Sequence, residues 1–123
     1  MTNITAIILT YNEELHLERC FQSLLKINAY IVVIDSYSTD STLEICKKYN
    51  VDVYQNPWVN HAYQINWAIN NCNFKGDWIL RIDADEYLSD FLINDINVKL
   101  DNISSEINGI KVKRLMYFLD KPL

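Results

Sequence analysis

The chain of 123 residues and 14.5 kDa is one domain's worth of sequence, long enough to bury roughly two-thirds of the surface that its unfolded form exposes. Hydrophobic residues at 50% and charged residues at 22% exclude the disordered, collagenous and coiled-coil classes. Sixteen Asp+Glu against eleven Lys+Arg leave a formal charge of -5, which removes any broad electrostatic reason to bind DNA, RNA or an acidic membrane, so no nucleic-acid partner is expected.

Short β-branched runs alternate with longer segments of helical period. Ile4 to Leu9 reads as a first strand that runs into the polar Thr10-Tyr11-Asn12-Glu13. Asn12, just before Glu13-Glu14, reads as the cap of a first helix whose apolar stripe is Leu17, Cys20, Phe21, Leu24 and Leu25. Tyr30 to Asp35 is a second strand, followed by Ser36-Tyr37-Ser38-Thr39-Asp40. Ser41 and Glu44 have capping-box spacing for a second helix, more weakly marked by Leu43, Ile45, Cys46 and Tyr49. Val51 to Tyr54 is a third strand, and Ala62, Ile65, Ile69 and Cys72 trace a third helix. Trp78 to Ile82 is a fourth strand that ends in Asp83-Ala84-Asp85-Glu86. Phe91, Leu92, Ile96 and Leu100 then suggest a helix, and Gly109 to Arg114 an edge-like strand with charged alternate positions. The apolar Leu115-Met116-Tyr117-Phe118-Leu119 needs a partner to cover it, which predicts exposed apolar surface or self-association at this end.

This order of elements argues for an α/β fold, a mainly parallel sheet with helices on both faces. In such sheets ligands bind at the carboxyl ends of the strands, beside the point where strand order reverses. Here those ends carry three acidic loops on one rim. With only Gly76 and Gly109 available, neither a dinucleotide fingerprint nor a P-loop can be assembled. A nucleotide on an acidic rim needs a divalent cation to bridge the negative charges, and Asp83 and Asp85 are spaced so that one can bind it while the other reaches its water or a ribose hydroxyl. An EF-hand loop is excluded, because Tyr87 and Leu88 occupy positions that require an oxygen ligand and a glycine.

Taken together, Ile7-Ile8-Leu9-Thr10-Tyr11-Asn12-Glu13-Glu14, the segment Val33 to Thr42, and Asp83-Ala84-Asp85-Glu86 resemble three motifs of the family 2 glycosyltransferases with a GT-A, Rossmann-like fold. They look like the opening strand with its nucleoside-binding loop, the second loop and the metal motif, in order and at ordinary spacing. Trp58-Val59-Asn60-His61 and Gln64-Ile65-Asn66-Trp67-Ala68 are similar to the branch containing lipopolysaccharide-core β-glucosyltransferases. The resemblance implies that Thr10, Tyr11, Asn12 and Glu13 line the base and ribose pocket and that Asp35 helps hold the nucleoside. It also implies that Asp83 and Asp85 bind ribose and metal, with Asp85 the direct ligand to Mn or Mg. The usual arginine before the asparagine of the third helix is here Ile65, so a base or diphosphate contact falls to Gln64 or Asn66. Ser36 and Tyr37 stand where many relatives carry aspartate and glycine, a departure at a position tied to uracil recognition.

The function so implied is transfer of a sugar from a nucleoside-diphosphate sugar, a UDP-sugar being favoured, to a glycan or lipid-linked acceptor. The reaction is expected to depend on a divalent metal and to invert the anomeric carbon. The resemblance spans nearly all of residues 1–123 but only the nucleotide-sugar-binding half of a complete domain, so the acceptor half and the catalytic base are expected to be absent from a truncated chain. A nucleotide-binding module without turnover is the alternative. Each residue also has a plainer reading: Asn12-Glu13-Glu14 as a cap, Asp35 as an Asx-turn, Trp58, Trp67 and Trp78 as core or crevice walls, His61 as a polar helix residue and His16 as a surface one. Cys20, Cys46 and Cys72 fit neither a disulfide framework nor a compact zinc pattern and read as reduced core thiols. The longest apolar runs have about a third of the length of a membrane span, and Met1 to Thr5 has no export signal. The expected location is therefore the cytoplasm, free or peripheral at the inner face of the membrane.

Overall fold

The computed structural model describes residues 4–74 and 78–100. Four strands, β1 (Ile4–Thr10), β2 (Tyr30–Asp35), β3 (Asp52–Gln55) and β4 (Trp78–Arg81), alternate with four helices, α1 (Leu17–Leu25), α2 (Thr42–Lys48), α3 (His61–Asn71) and α4 (Asp90–Leu100). All three strand pairings are parallel and the order is β3-β2-β1-β4. The chain therefore winds outward from β1 through β2 to β3, then returns to lay β4 on the other side of β1. Right-handed crossovers carry α3 to the opposite face from α1 and α2. The expected sheet and strands are present, with boundaries displaced by one residue at most. Gly109 to Arg114 and Leu115 to Leu119 lie outside the described residues.

Strand periodicity sorts the core into two layers. Ile4, Ala6, Ile8, Ile31, Val33 and Leu80 face α1, α2 and α4, where they meet Leu17, Cys20, Phe21, Leu24, Cys46, Ile93 and Ile96. Ile7, Val32 and Ile34 face α3 and pack with Ala68 and the half-buried Ile65 and Trp67. Leu17, Phe21 and Leu24 are fully buried, and burying each contributes about 1.5–3 kcal/mol.

Several local expectations are corrected. Leu25 and Phe91 point to solvent, while Ser23 and Ile93 are buried instead. In α3 the buried face is Gln64 and Ala68, and Ala62 and Ile69 are exposed, because a fully hydrogen-bonded amide stands where an apolar residue was expected. Asn12 does not cap α1, whose N-cap position is His16. Ser41 does occupy the N-cap of α2, but its side chain makes no capping bond; Asp40 Oδ1 instead accepts the Thr42 N–H at 2.9 Å. α1 and α2 are each followed by a left-handed asparagine, Asn28 (φ 55°) and Asn50 (φ 56°), in the role usually given to glycine.

Candidate functional site

Register places Thr10 at the end of β1 directly beside Asp35 at the end of β2, and the two loops leaving these strands are latched together. Asp35 is fully buried. Its Oδ1 accepts the Thr10 hydroxyl (2.6 Å) and the Ser38 hydroxyl (2.6 Å), and its Oδ2 accepts the Ser38 N–H (2.8 Å). Ser38 Oγ in turn accepts the Asn12 N–H at 2.8 Å, and Asn12 Oδ1 accepts the N–H groups of Thr39 (2.8 Å) and Asp40 (3.3 Å). The Glu13 N–H donates to Thr42 Oγ1 (2.9 Å), and the Ser41 N–H donates to Glu14 Oε1 (2.8 Å). The two loops thus form one body, with Asn12 (φ 52°) and Tyr37 (φ 59°) in the left-handed conformation that aims these groups.

Above this latch opens a cavity of about 360 Å³. It is lined by Leu9, Thr10, Tyr11 and Glu13 from the end of β1 and the loop after it, and by Ser36, Trp58 and His61. Trp58 and His61 meet edge to face, with ring centroids 4.9 Å apart. Gln64, wholly buried, is clamped: its Nε2 donates to Ser36 Oγ (3.1 Å) and the Asn56 carbonyl (3.0 Å), and its Oε1 accepts from Asn56 Nδ2 (2.8 Å). This amide fixes Ser36 and the start of α3 relative to each other.

The loop after β4 brings the acidic triplet to the same end of the sheet. Ala84 is buried while Asp83 and Asp85 face solvent, in a turn closed by the Glu86 N–H to the Asp83 carbonyl at 2.9 Å. Glu13 reports their proximity: partial burial raises its pKa above the ordinary 4.5, and the Asp85, Asp40 and Asp83 carboxylates push it further in that direction, opposed by His16. Among the described residues no group of three or more His, Cys, Asp or Glu side chains is arranged to hold a metal ion. A hard divalent cation does not require such a cage, since Mg2+-type sites use one or two carboxylates together with substrate phosphates and water. Asp83 and Asp85, both exposed in a turn closed by a backbone hydrogen bond, fit that donor set.

The expected site residues therefore divide. Thr10, Tyr11 and Glu13 line the cavity, and Asp83 and Asp85 stand near Glu13. Asp35 and Gln64 are buried outside the lining and bonded to protein partners, Asn12 is bonded into the latch through its N–H and Oδ1, and Asn66 is exposed on α3 outside the lining. Ser36 and His61 join the lining although neither was expected to bind; the signals were the departure at Ser36, at a position tied to uracil recognition, and the place of His61 in the Trp58-Val59-Asn60-His61 segment.

The profile described as "Glycosyl transferase family 2" matches residues 5–102. The chain belongs to glycosyltransferase family 2. It is 38% identical over 96 residues to an uncharacterised glycosyltransferase of Rickettsia typhi, covering 78% of this chain and 32% of that protein. It is 34% identical over 121 residues to the lipopolysaccharide core biosynthesis glycosyltransferase LpsC of Rhizobium meliloti, covering 94% and 43% respectively. This family 2 chain thus spans less than half the length of either relative. Among solved structures it resembles TarS of S. aureus in complex with UDP-GlcNAc (TM-score 0.67, 28% identity, 83% of this chain and 32% of that one). The fold is shared as well by a mannosyltransferase of Pyrobaculum calidifontis crystallised with GDP-Man and Mn2+ (TM-score 0.59, 23% identity, 76% and 31%). The sheet is accordingly the GT-A type, and no helix among the described residues is long and apolar enough to cross a membrane.

Proposed function

We propose that the protein transfers a sugar from a nucleoside-diphosphate sugar, by preference a UDP-sugar, to a glycan or lipid-linked acceptor, with inversion and with the aid of Mn2+ or Mg2+. The observation that carries this reading is the cavity at the carboxyl ends of β1 and β2, with Tyr11 on its wall and the Asp83 and Asp85 carboxylates near Glu13. Tyr11 and Thr10 would bound the nucleoside, and Ser36 would present its hydroxyl to it. Asp85, with Asp83, would hold the cation. Once bound, the cation supplies neutralisation of the charge that builds on the departing diphosphate. Without it, the acidic wall repels that diphosphate, which makes binding conditional on the metal. Similarity to LpsC supports a role in lipopolysaccharide core assembly, and the UDP-GlcNAc complex of TarS supports the choice of a UDP-sugar. Family membership favours turnover over a module that only binds. The three free cysteines accord with work in a reducing compartment such as the cytoplasm.

The test is thermal stabilisation by UDP, GDP and CMP, each with and without Mn2+. A nucleotide at a hundred times its Kd adds about 2.7 kcal/mol when it binds only the folded protein. The expected result is stabilisation by UDP that requires Mn2+ and disappears in Asp85→Asn. Stabilisation independent of metal, or equal for every nucleotide, would refute the reading.

A further inference from the structure

We propose that Arg19 is a positioning residue for the acidic turn, holding the Asp83 and Asp85 carboxylates where a cation can use them; this rests on the function proposed above. The inference starts from an oddity of α1. Its inner stripe contains a buried serine, Ser23, and its flank carries an arginine directed at another element. Both are explained by the loop after β4. Ser23 Oγ accepts the Leu88 N–H at 3.0 Å while donating to the Cys20 carbonyl at 2.9 Å. The Cys20 thiol lies 3.9 Å from the Asp83 carbonyl. The Arg19 guanidinium donates to the Asp85 carbonyl at 3.4 Å and lies over the Tyr87 ring, 4.3 Å from its centroid. Residues 19, 20 and 23 of one helix therefore hold residues 83, 85, 87 and 88 of the loop.

The division of labour follows from chemistry. Ser23 and Cys20 grip the loop from inside the core and fix its path. Arg19 acts from outside, where a planar guanidinium can stack on a ring and reach a carbonyl at once. By holding the backbone of Asp85 rather than its carboxylate, Arg19 leaves the carboxylate oxygens to other partners. A salt bridge to the carboxylate would have competed with a cation for the same atoms.

Two effects of removing Arg19 have opposite signs, which makes the inference testable. Loss of a positive charge near an acidic pair strengthens cation binding; loss of the clamp weakens it. The experiment is titration of Mn2+ into the UDP-saturated protein by calorimetry, for wild type, Arg19→Ala and Tyr87→Leu, with Tm measured without ligand. Positioning predicts Mn2+ binding about fivefold weaker in both variants, the scale of an exposed cation–π contact, with Tm close to wild type because both side chains are on the surface. Stronger binding in Arg19→Ala with no change in Tyr87→Leu would mean that Arg19 acts only through its charge and would overturn the inference. Unchanged binding in both would do the same. Wild type that binds no Mn2+ in the presence of UDP would instead defeat the functional reading on which the inference rests.

Discussion

Replacing Asp35 separates a latch from a ligand. In Asp35→Ala the buried Thr10 hydroxyl loses its acceptor, and so do the Ser38 N–H and hydroxyl. A buried polar group left unpaired costs about 1–3 kcal/mol. Thr10 is buried but borders the cavity, so it bears most of that cost, while half-buried Ser38 recovers more of it from solvent. The expected loss is about 3 kcal/mol, or about 150-fold in the folding equilibrium. Asp35→Asn should lose only about 1 kcal/mol, the difference between charged and neutral hydrogen bonds. Its amide oxygen can take the Ser38 N–H, and its NH2 can donate to hydroxyls that turn to accept. Urea unfolding monitored by circular dichroism measures both variants. UDP and Mn2+ binding should fall in step with stability in Asp35→Ala and persist in Asp35→Asn. Should Asp35→Ala unfold within about 1 kcal/mol of wild type and yet fail to bind nucleotide, Asp35 contacts the ligand and the latch account is wrong.

Gln64→Leu should cost about 2 kcal/mol in the same unfolding assay, because it strands the Asn56 amide and removes the donor that holds Ser36; a neutral result would mean that solvent satisfies these groups. Glu13 is more basic in the folded state than its ordinary 4.5, so its contribution to stability is full below that value and is lost as pH rises through the folded pKa. Glu13→Gln should therefore melt higher than wild type at pH 7, with the difference closing as the pH falls toward 4; an unchanged difference across that range would contradict the assignment. Burial pushes the Cys20 and Cys46 thiols up to about 12 and Cys72 up to about 11, the first of them aided by the Glu86, Asp83 and Asp85 carboxylates. Ellman's reagent at pH 8 should find all three slow in native protein and fast in denaturant, with half-buried Cys72 the first to react.

What the sequence reveals here depends on whether a residue's role is local. Ile4 to Leu9 and Tyr30 to Asp35 are legible because β-branched runs between polar loops have few other uses, and strand–helix alternation then dictates a parallel sheet. The rim is legible by the same logic, since loops at strand carboxyl ends must share it. Asn12 is misread because an asparagine before two glutamates looks the same whether it caps its own helix or latches a loop; the amides it receives belong to Thr39 and Asp40, far along the chain. The burial of Gln64 is not legible because periodicity counts apolar residues, and a glutamine becomes a core residue only once Asn56 and Ser36 surround it. Asp35 shows the same limit. Its charge suggests a ligand, and its burial and its bonds to Thr10 and Ser38 become visible only once the ends of β1 and β2 lie side by side.

The bonded loops have a thermodynamic consequence for whatever enters beside them. Immobilising a flexible residue on association costs about 1–2 kcal/mol, and a wall built of free loops would levy that charge on every ligand. Here Asn12, Ser38 and Asp40 are already tied, so the conformational entropy was surrendered when the chain folded. A nucleotide should thus meet a preorganised wall, and its association rate should follow diffusion and electrostatic steering rather than a slow closing step.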